Sequence, residues 1–365
     1  MRLLHTSDVQ LDAPLVFLGK NGQKLRAQFR ETFGKVVDLA SSGAYDMLLI
    51  AGDLFDSNRP SQQTLEFVVA RLAKAAVPVC ILPGNHDCYD ATSVYRKAEF
   101  PPNVTVFTNT LTEKVFPDLN VTVYGTAVLR KDTLDPALAK LRPSAGTRWH
   151  VAMAHGNIVG GLVENPYRPI RPQEIGACGM NYVAIGDWHA YSDQSVGGTK
   201  AAYSGSPEPT SFADDGAGYI ASVELADSAV EVKPIHVGKV SARKVRIEVA
   251  GRNHAEFTQE ILRLADPQLM LEVTLSGLLS VGEVIGTEDL ESDVAERFYQ
   301  IRCRDESHPW LEEITEDEFP PQLAVGRFVA LMRRQIEEAK SEGDRQKAER
   351  ALQIGVALLQ GKEVL

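Results

Sequence analysis

The chain has 365 residues, of which 44% are hydrophobic and 24% charged, an ordinary globular balance with enough apolar material for one large domain with additions or for two. Its formal net charge of −11 argues against a broad basic surface, so a nucleic-acid role would need a local basic patch or a partner that supplies the grip. No apolar run is long enough to span a bilayer, Met1-Arg2-Leu3-Leu4-His5-Thr6-Ser7-Asp8 turns polar too early for a signal peptide, and the scattered Cys80, Cys88, Cys178 and Cys303 read as reduced thiols of a cytoplasmic protein.

Residues 2–7 read as a first strand with Asp8 at its end. From 22 to 42, Leu25, Phe29, Phe33, Val36 and Val37 recur at helical spacing, and Gly43 fits as the stop. Met47-Leu48-Leu49-Ile50-Ala51 is a buried strand that opens into Gly52-Asp53-Leu54-Phe55-Asp56. A helix follows over 61–76, with Ser61 as its N-cap after Pro60. Val77-Pro78-Val79-Cys80-Ile81 leads in the same way into Leu82-Pro83-Gly84-Asn85-His86-Asp87. Strand, loop and helix repeated in this order predict an α/β sheet, whose strand ends are a favoured place for a site.

After Pro101-Pro102 short strands predominate, over 103–108 and 120–127. The strand 149–154 ends at His155-Gly156-Asn157, and 181–185 ends at Gly186-Asp187-Trp188-His189. Strands over 201–204, 218–225 and 229–237 complete the series, and the Pro- and Gly-rich loop 159–179 is expected to cover one side of the site. Near Gly238 the organisation changes. Residues 244–249 alternate, with Val245, Ile247 and Val249 on one face. Asn253 with Glu256 forms a capping-box-like helix start, Phe257, Ile261 and Leu264 follow as an apolar stripe, and 269–275 is a further strand. Pro320-Pro321 opens a helical tail with Val325, Phe328, Val329, Met332 and Ile336 on one stripe. Past a break near Gly343, Leu352, Val356 and Leu359 form a second. Such helices pack on their own domain or dock on a partner helix. The predicted division is 1–238, 239–310 and 311–365.

Asp8, Gln10, Asp53, Asn85, His86, His155, Asp187 and His189 all lie on, or just after, an apolar run. One polar residue at a strand end is usually a turn former, but the whole series is hard to assign to turns. Carboxylate, amide and imidazole donors suit Mn, Fe or Zn. There are more of them than one ion needs, and the central Asp53 could bridge two. Two metals about 3.5–4 Å apart can hold a phosphate and generate a hydroxide for in-line attack. Bland readings cover the rest. His5 and His150 are structural residues in strands, and His236, His254 and His308 are surface residues. Asp214-Asp215 is a solvated turn, and Ser204-Gly205-Ser206-Pro207 is a turn near the site with no base beside it. Trp188 is a packed wall or a surface on which a base stacks, and Tyr89 and Arg96 are structural or touch substrate.

Gly52-Asp53-Leu54-Phe55-Asp56, Gly84-Asn85-His86-Asp87, His155-Gly156 and Gly186-Asp187-Trp188-His189 resemble the motifs of the calcineurin-like metallophosphoesterases. In order and spacing they are most similar to the SbcD and YhaO type of DNA exonuclease subunit, and Leu4-His5-Thr6-Ser7-Asp8-Val9-Gln10-Leu11-Asp12 looks like that group's first motif. The likeness covers about the first 240 residues; the rest is similar to the group's small capping domain in layout only. It implies an α/β fold in the form of a calcineurin-like phosphoesterase β-sandwich flanked by helices. A small α+β capping domain and C-terminal helices would follow. It implies that Asp8, Gln10, Asp53 and His189 hold a first metal, and that Asp53, Asn85, His155 and Asp187 hold a second. His86 would contact the phosphate and protonate the leaving oxygen, with Asp53 as the other catalytic residue, while Asp56 and Asp87 would orient ligands from behind.

Two positions depart from the family pattern. Asp8-Val9-Gln10 replaces Asp-x-His, and Gly186-Asp187-Trp188-His189 replaces Gly-His-x-His. The site becomes richer in oxygen, which favours Mn2+, with Mg2+ or Fe2+ as alternatives, over Zn2+. The implied function is a metal-dependent phosphodiesterase. It would be a DNA exonuclease or endonuclease subunit of a repair or processing complex, working with an SbcC- or YhaN-like coiled-coil ATPase, and a homodimer is compatible with it. Two other readings stay open. One is a phosphodiesterase for small molecules or nucleotides, to which the acidic charge is no obstacle. The other is a catalytically weak scaffold that binds DNA or the ATPase, motivated by the two substitutions.

Overall fold

Uninterrupted apolar runs make the first layer. β1 (Arg2–Thr6) and β2 (Met47–Ala51) are buried along both faces, apart from Arg2. Strands are buried in this way when helices cover one side of a sheet and a second layer covers the other. The computed structural model describes residues 1–110, 112–139, 141–144, 146–160, 168–281, 284–310 and 318–361. Between β1 and β2 lies α1 (Lys20–Ala40), and α2 (Gln62–Ala73), β3 (Val79–Leu82), α3 (Val94–Lys97) and β4 (Val104–Val106) follow. The second layer is built from β5 (Glu113–Phe116), β6 (Val121–Gly125), β7 (Trp149–His155), α4 (Pro172–Ala177), β8 (Tyr182–Gly186), β9 (Ser192–Asp193) and β10 (Lys200–Tyr203). The chain then returns to the first sheet with β11 (Tyr219–Leu225) and β12 (Val230–His236).

The sheets have the orders β12-β11-β1-β2-β3-β4 and β5-β6-β7-β8-β10-β9. Strands β1 to β4 pair in parallel, as do β6, β7, β8 and β10, so the C-terminal ends in each sheet lie side by side. Leu3, Leu49 and Leu82 of one sheet meet Val123, Met153 and Ala184 of the other in a common core. Helix α1 packs on β2 and α2, and Ile175 of α4 covers Val183 and Ile185. This is the expected β-sandwich flanked by helices. Ser61 caps α2 through its Oγ, and Asp12 ties that cap to the loop after β1 by accepting from Ser61 N and Thr64 Oγ1, both at 2.6 Å. The stretch expected as a covering loop contains α4 instead, with Pro172 in its first turn and the Glu174 carboxylate accepting from Arg171 N at 3.0 Å. Proline at that position starts a helix while resembling a loop in sequence. Residues 161–167 of that stretch lie outside the described residues.

The chain separates into two compact units, Met1–Ala242 and Arg243–Leu365. In the second, β13 (Ser241–Glu248), β14 (Leu269–Leu279) and β15 (Gln300–Pro309) form a sheet, with β14 and β15 parallel. Helices α5 (His254–Leu262) and α6 (Thr287–Val294) contribute Phe257 and Leu290 to its core with Ile247, Val273 and Ile301. The capping box of Asn253 and Glu256 is formed. Neither α6 nor β15 announces itself in sequence: α6 buries only Leu290 and Val294 in an acidic stretch. Helices α7 (Ala324–Glu337) and α8 (Glu342–Leu359) bury Val329, Met332, Ile336, Leu352 and Val356 in a shared cluster. Helix α8 is also pinned to β15 by Arg350–Asp305 at 2.7 Å and His308–Glu349 at 2.9 Å. The expected break near Gly343 falls just before it, since Gly343 belongs to α8. Residues 311–317, where the predicted tail begins, lie outside the described residues.

Candidate metal centre

Parallel pairing brings the expected residues to one rim of the sandwich. Asp8 follows β1, Asp53 follows β2, and Asn85 and His86 follow β3. From the other sheet, His155 ends β7, and Asp187 and His189 follow β8. Backbone bonds lace the first two loops together, from Asp8 N to Gly52 O, Gln10 N to Asp53 O and Leu11 N to Leu54 O, each at 3.0 Å. Asp8, Gln10, Asp53 and Asp187 all have positive φ, at 52°, 52°, 51° and 104°. Such conformations are uncommon for residues other than glycine and persist where the surroundings over-determine them, often at functional sites. The glycines serve close approach: a Cβ on Gly84 would lie 2.1 Å from Asp53 Oδ1.

Ligand atoms of Asp8, Asp53 and His155, all buried, lie within 4.8 Å of one another. His155 Nε2 is 2.8 Å from Asn85 Oδ1, 3.5 Å from Asp187 Oδ1 and 3.6 Å from Asp53 Oδ2. Its Nδ1 is 2.9 Å from the Ala51 carbonyl oxygen, which can only accept, so Nδ1 carries a hydrogen and Nε2 is the atom turned to Asn85, Asp187 and Asp53. Burial pushes Asp8 upward and carries Asp187 to about 6. Burial works against the charged form of Asp53 as well, but the facing His155 outweighs it and keeps Asp53 below the usual range. Burial would lower His155, yet Asp53, Asp8 and Asp187 together raise it to about 10. A protonated imidazole amid three carboxylates occupies electrostatically the place a divalent cation would take. The donor set therefore fits a metal.

Gln10 is buried and turns its amide Nε2 to Asp53 Oδ2 at 3.1 Å, so its oxygen would serve as a ligand only after the amide turns over. His86 donates its backbone N–H to Asp53 Oδ1 at 2.9 Å. Its ring is 34% exposed, against 23% for His189 and 0% for His155. Asp56 holds that ring chiefly through its backbone: His86 Nδ1 is 3.0 Å from Asp56 O and 3.8 Å from its carboxylate. Asp87 clamps the two loops, accepting from Gly84 N, Phe55 N and Tyr95 OH at 2.7, 3.1 and 2.6 Å. Burial and neighbouring Asp53 raise Asp87 to about 6 despite these donors.

Other contacts were not foreseen. Ser7 Oγ donates to Asp8 Oδ2 at 2.5 Å and lies 2.9 Å from Ser204 Oγ, and Asn157 Nδ2 donates to Asp187 Oδ2. Tyr95 carries no sequence signal at all. The solvated turn expected at Asp214-Asp215 is corrected for its first residue: the Asp214 side chain is 10% exposed and stands 3.0 Å from His189 Nδ1, while Asp215 is exposed. Ser211-Phe212-Ala213-Asp214 has the spacing of a local side-chain-to-backbone motif, which a reading for helix starts passes over when no helix follows. His189 is not part of the tight Asp8, Asp53 and His155 group found among the described residues. Trp188 is 36% exposed, and Arg96 lies over the Tyr89 ring at 4.1 Å, so these two occupy each other. His5 and His150 bond Tyr182 OH and Tyr124 OH within the sandwich, as structural residues do.

A two-layer α/β sandwich that gathers carboxylate, amide and imidazole donors at the ends of parallel strands is the architecture of a metallophosphoesterase. The family model for calcineurin-like phosphoesterases matches residues 1–191, and the chain belongs to that family. It is similar to the uncharacterized metallophosphoesterase YhaO of Bacillus subtilis, 26% identical over 249 residues, covering 65% of this chain and 60% of that protein. It is 27% identical over 235 residues to the DNA double-strand break repair protein Mre11 of Methanopyrus kandleri, covering 58% of this chain and 50% of that one. It is 25% identical over 305 residues to the SbcD component of the SbcCD nuclease of Rhodobacter capsulatus, covering 65% and 69%. The chain thus spans 60% and 50% of the first two relatives' length. No helix among the described residues is long and apolar enough to cross a membrane.

Proposed function

We propose that this chain is a metal-dependent phosphodiesterase acting on DNA, the nuclease component of a repair or processing complex with an SbcC-like coiled-coil ATPase. The observation that carries the reading is the buried convergence of Asp8, Asp53 and His155 beside a partly exposed His86. Two divalent ions, manganese foremost and magnesium or iron as alternatives, would polarise a phosphoryl oxygen and supply a nucleophile at neutral pH. Asp53 serves both positions, with Asp8, Gln10 and His189 on one side and Asn85, His155 and Asp187 on the other. His86, held through Nδ1 by Asp56, uses Nε2 to contact the phosphate and hand a proton to the leaving oxygen. Asp56 and Asp87 keep the loops that carry these groups in register.

DNA as substrate is supported by relatives named as a nuclease component and as a double-strand break repair protein. The net charge of −11 is tolerable on this reading if the ATPase supplies much of the grip on DNA. Residues 1–238 would be the catalytic domain, 239–310 a capping domain, and 311–365 the segment that docks on the partner; Leu331 and Leu358, 57% and 54% exposed, give that segment apolar contact points. The four cysteines are free and buried, in keeping with a reducing cytoplasmic setting.

The test is hydrolysis of bis-p-nitrophenyl phosphate, then of linear single- and double-stranded DNA, with manganese. Cleavage of both, abolished in His86→Ala, is expected. A diester that is cut while DNA stays intact even with the cognate ATPase would move the assignment to small-molecule substrates. Folded protein that takes up no manganese would make the chain a scaffold.

A further inference from the structure

We propose that Asp214 is a positioning residue for His189, fixing the imidazole so that Nε2 is the atom offered to a divalent cation. The inference rests on the metal-centre reading above and adds to it a residue outside the family motifs. Asp214 Oδ2 lies 3.0 Å from His189 Nδ1. The same oxygen accepts from Thr210 N and Thr210 Oγ1 at 2.7 Å each and from Ser211 N at 3.0 Å, while Oδ1 accepts from Ser211 Oγ at 2.9 Å. Apart from His189, all these donors come from within four residues, so the carboxylate is locked by its own loop. Thr210 Oγ1 also lies 3.4 Å from His189 Nδ1, but its hydrogen is already given to Asp214, so toward the ring it can only accept; both neighbours of Nδ1 therefore call for a hydrogen there, and the carboxylate is the nearer acceptor.

An acceptor at Nδ1 dictates the tautomer that leaves Nε2 free, and a carboxylate there makes the imidazole a stronger donor to metal. That strengthening counts for more at a position where the neighbouring residue is the neutral amide of Gln10. The same loop braces Asp8. Ser206 Oγ lies between Asp8 O at 2.7 Å and Glu208 O at 2.6 Å with one hydrogen shared between them, and Ser206 N donates to His189 O at 2.8 Å. Ser204 reaches the Asp8 carboxylate through Ser7. Residues 204–214 thus support a carboxylate and an imidazole of the same ion position from one piece of backbone.

The test is a manganese titration of the full chain followed by electron paramagnetic resonance, with Asp214→Ala, Asp214→Asn, His189→Ala and the two double variants. Asp214→Ala is expected to weaken one class of bound Mn2+ by roughly 10–100-fold and to spare the other. Asp214→Asn keeps an oxygen facing the loop donors and should recover part of that loss; it carries the test alone if the alanine variant does not fold. Neither substitution should add to the loss in His189→Ala. Unchanged affinities, equal loss from both classes, or additive loss on His189→Ala would overturn the role. Wild-type protein that binds no Mn2+ would remove the metal-centre reading as well, whereas normal wild-type binding with an unaffected Asp214→Ala removes this inference alone.

Discussion

The backbone N–H of Asp187 donates to both carboxylate oxygens of Asp8, at 3.2 and 3.0 Å. The bond joins the end of β1 in one sheet to the end of β8 in the other, across 179 residues of chain. It holds a buried anion beside a second carboxylate, where the family pattern has an imidazole. Metal-free, the rim is therefore a concentration of negative charge held together by backbone donors and His155.

Relieving that crowding should stabilise the metal-free protein at the expense of function. Asp8→Asn keeps an oxygen for Asp187 N but removes a charge that burial chiefly, and Asp53 beside it, disfavour. Melting in EDTA is expected to rise by about 1 kcal/mol, or ~2–4 °C for a protein of this size. Manganese affinity should fall in the same variant. A variant that melts lower and binds manganese as before would contradict the charge argument.

Gly52, just after β2, lies directly against His155 at the end of β7. A Cβ there would sit 2.0 Å from His155 Nδ1, and the backbone φ is +100°. Gly52→Ala must displace His155 or the Asp53 loop, with an expected cost of about 1–3 kcal/mol in chemical denaturation. Manganese uptake should drop at the same time. Full uptake with unchanged stability would show that the rim gives way more easily than its packing implies.

The pH dependence has a defined sign. Burial lowers His155 and His189, but Asp53 beside the first and Asp214 beside the second outweigh it, placing them at about 10 and about 9. The folded protein therefore holds these protons more tightly than the unfolded chain. Their stabilisation is full below the ordinary value of 6.5 and is lost as pH rises through 9 to 10, at up to about 1.4 kcal/mol per pH unit for each group. Asp87 and Asp187, raised to about 6 by burial, act in the same direction between 3.8 and 6. Manganese bound by these imidazoles would displace their protons, so its effect should grow with pH. Melting curves with EDTA and with manganese should diverge from about pH 6 to about pH 9; a constant gap would count against imidazole ligands.

If the proposed first ion binds, Gln10 would limit its affinity. Its amide now donates to Asp53, and an imidazole would restore a nitrogen ligand in its place. Gln10→His is expected to tighten manganese binding and to shift selectivity toward zinc. Isothermal titration with each ion reads both effects, and unchanged affinities would show that residue 10 faces Asp53 without touching metal.

Much of this site was legible in sequence because each part is local. Asp53 and His86 follow apolar runs directly, and an apolar run that stops at a glycine and an acid marks a strand end without knowledge of its neighbours. Helix α4 was hidden by the proline that starts it, and α6 by its acidic composition, since both lack the spacing that betrays a longer helix.

From the sequence alone came the order of strands and loops, the chemical types at their ends and the family they resemble, since these depend on residues close together along the chain. Only the tertiary structure decided who holds whom: Tyr95 on Asp87, Asp214 on His189, and Asp187 N on Asp8. Those pairings depend on parallel strands placing distant ends within hydrogen-bond reach, and no periodicity records that distance.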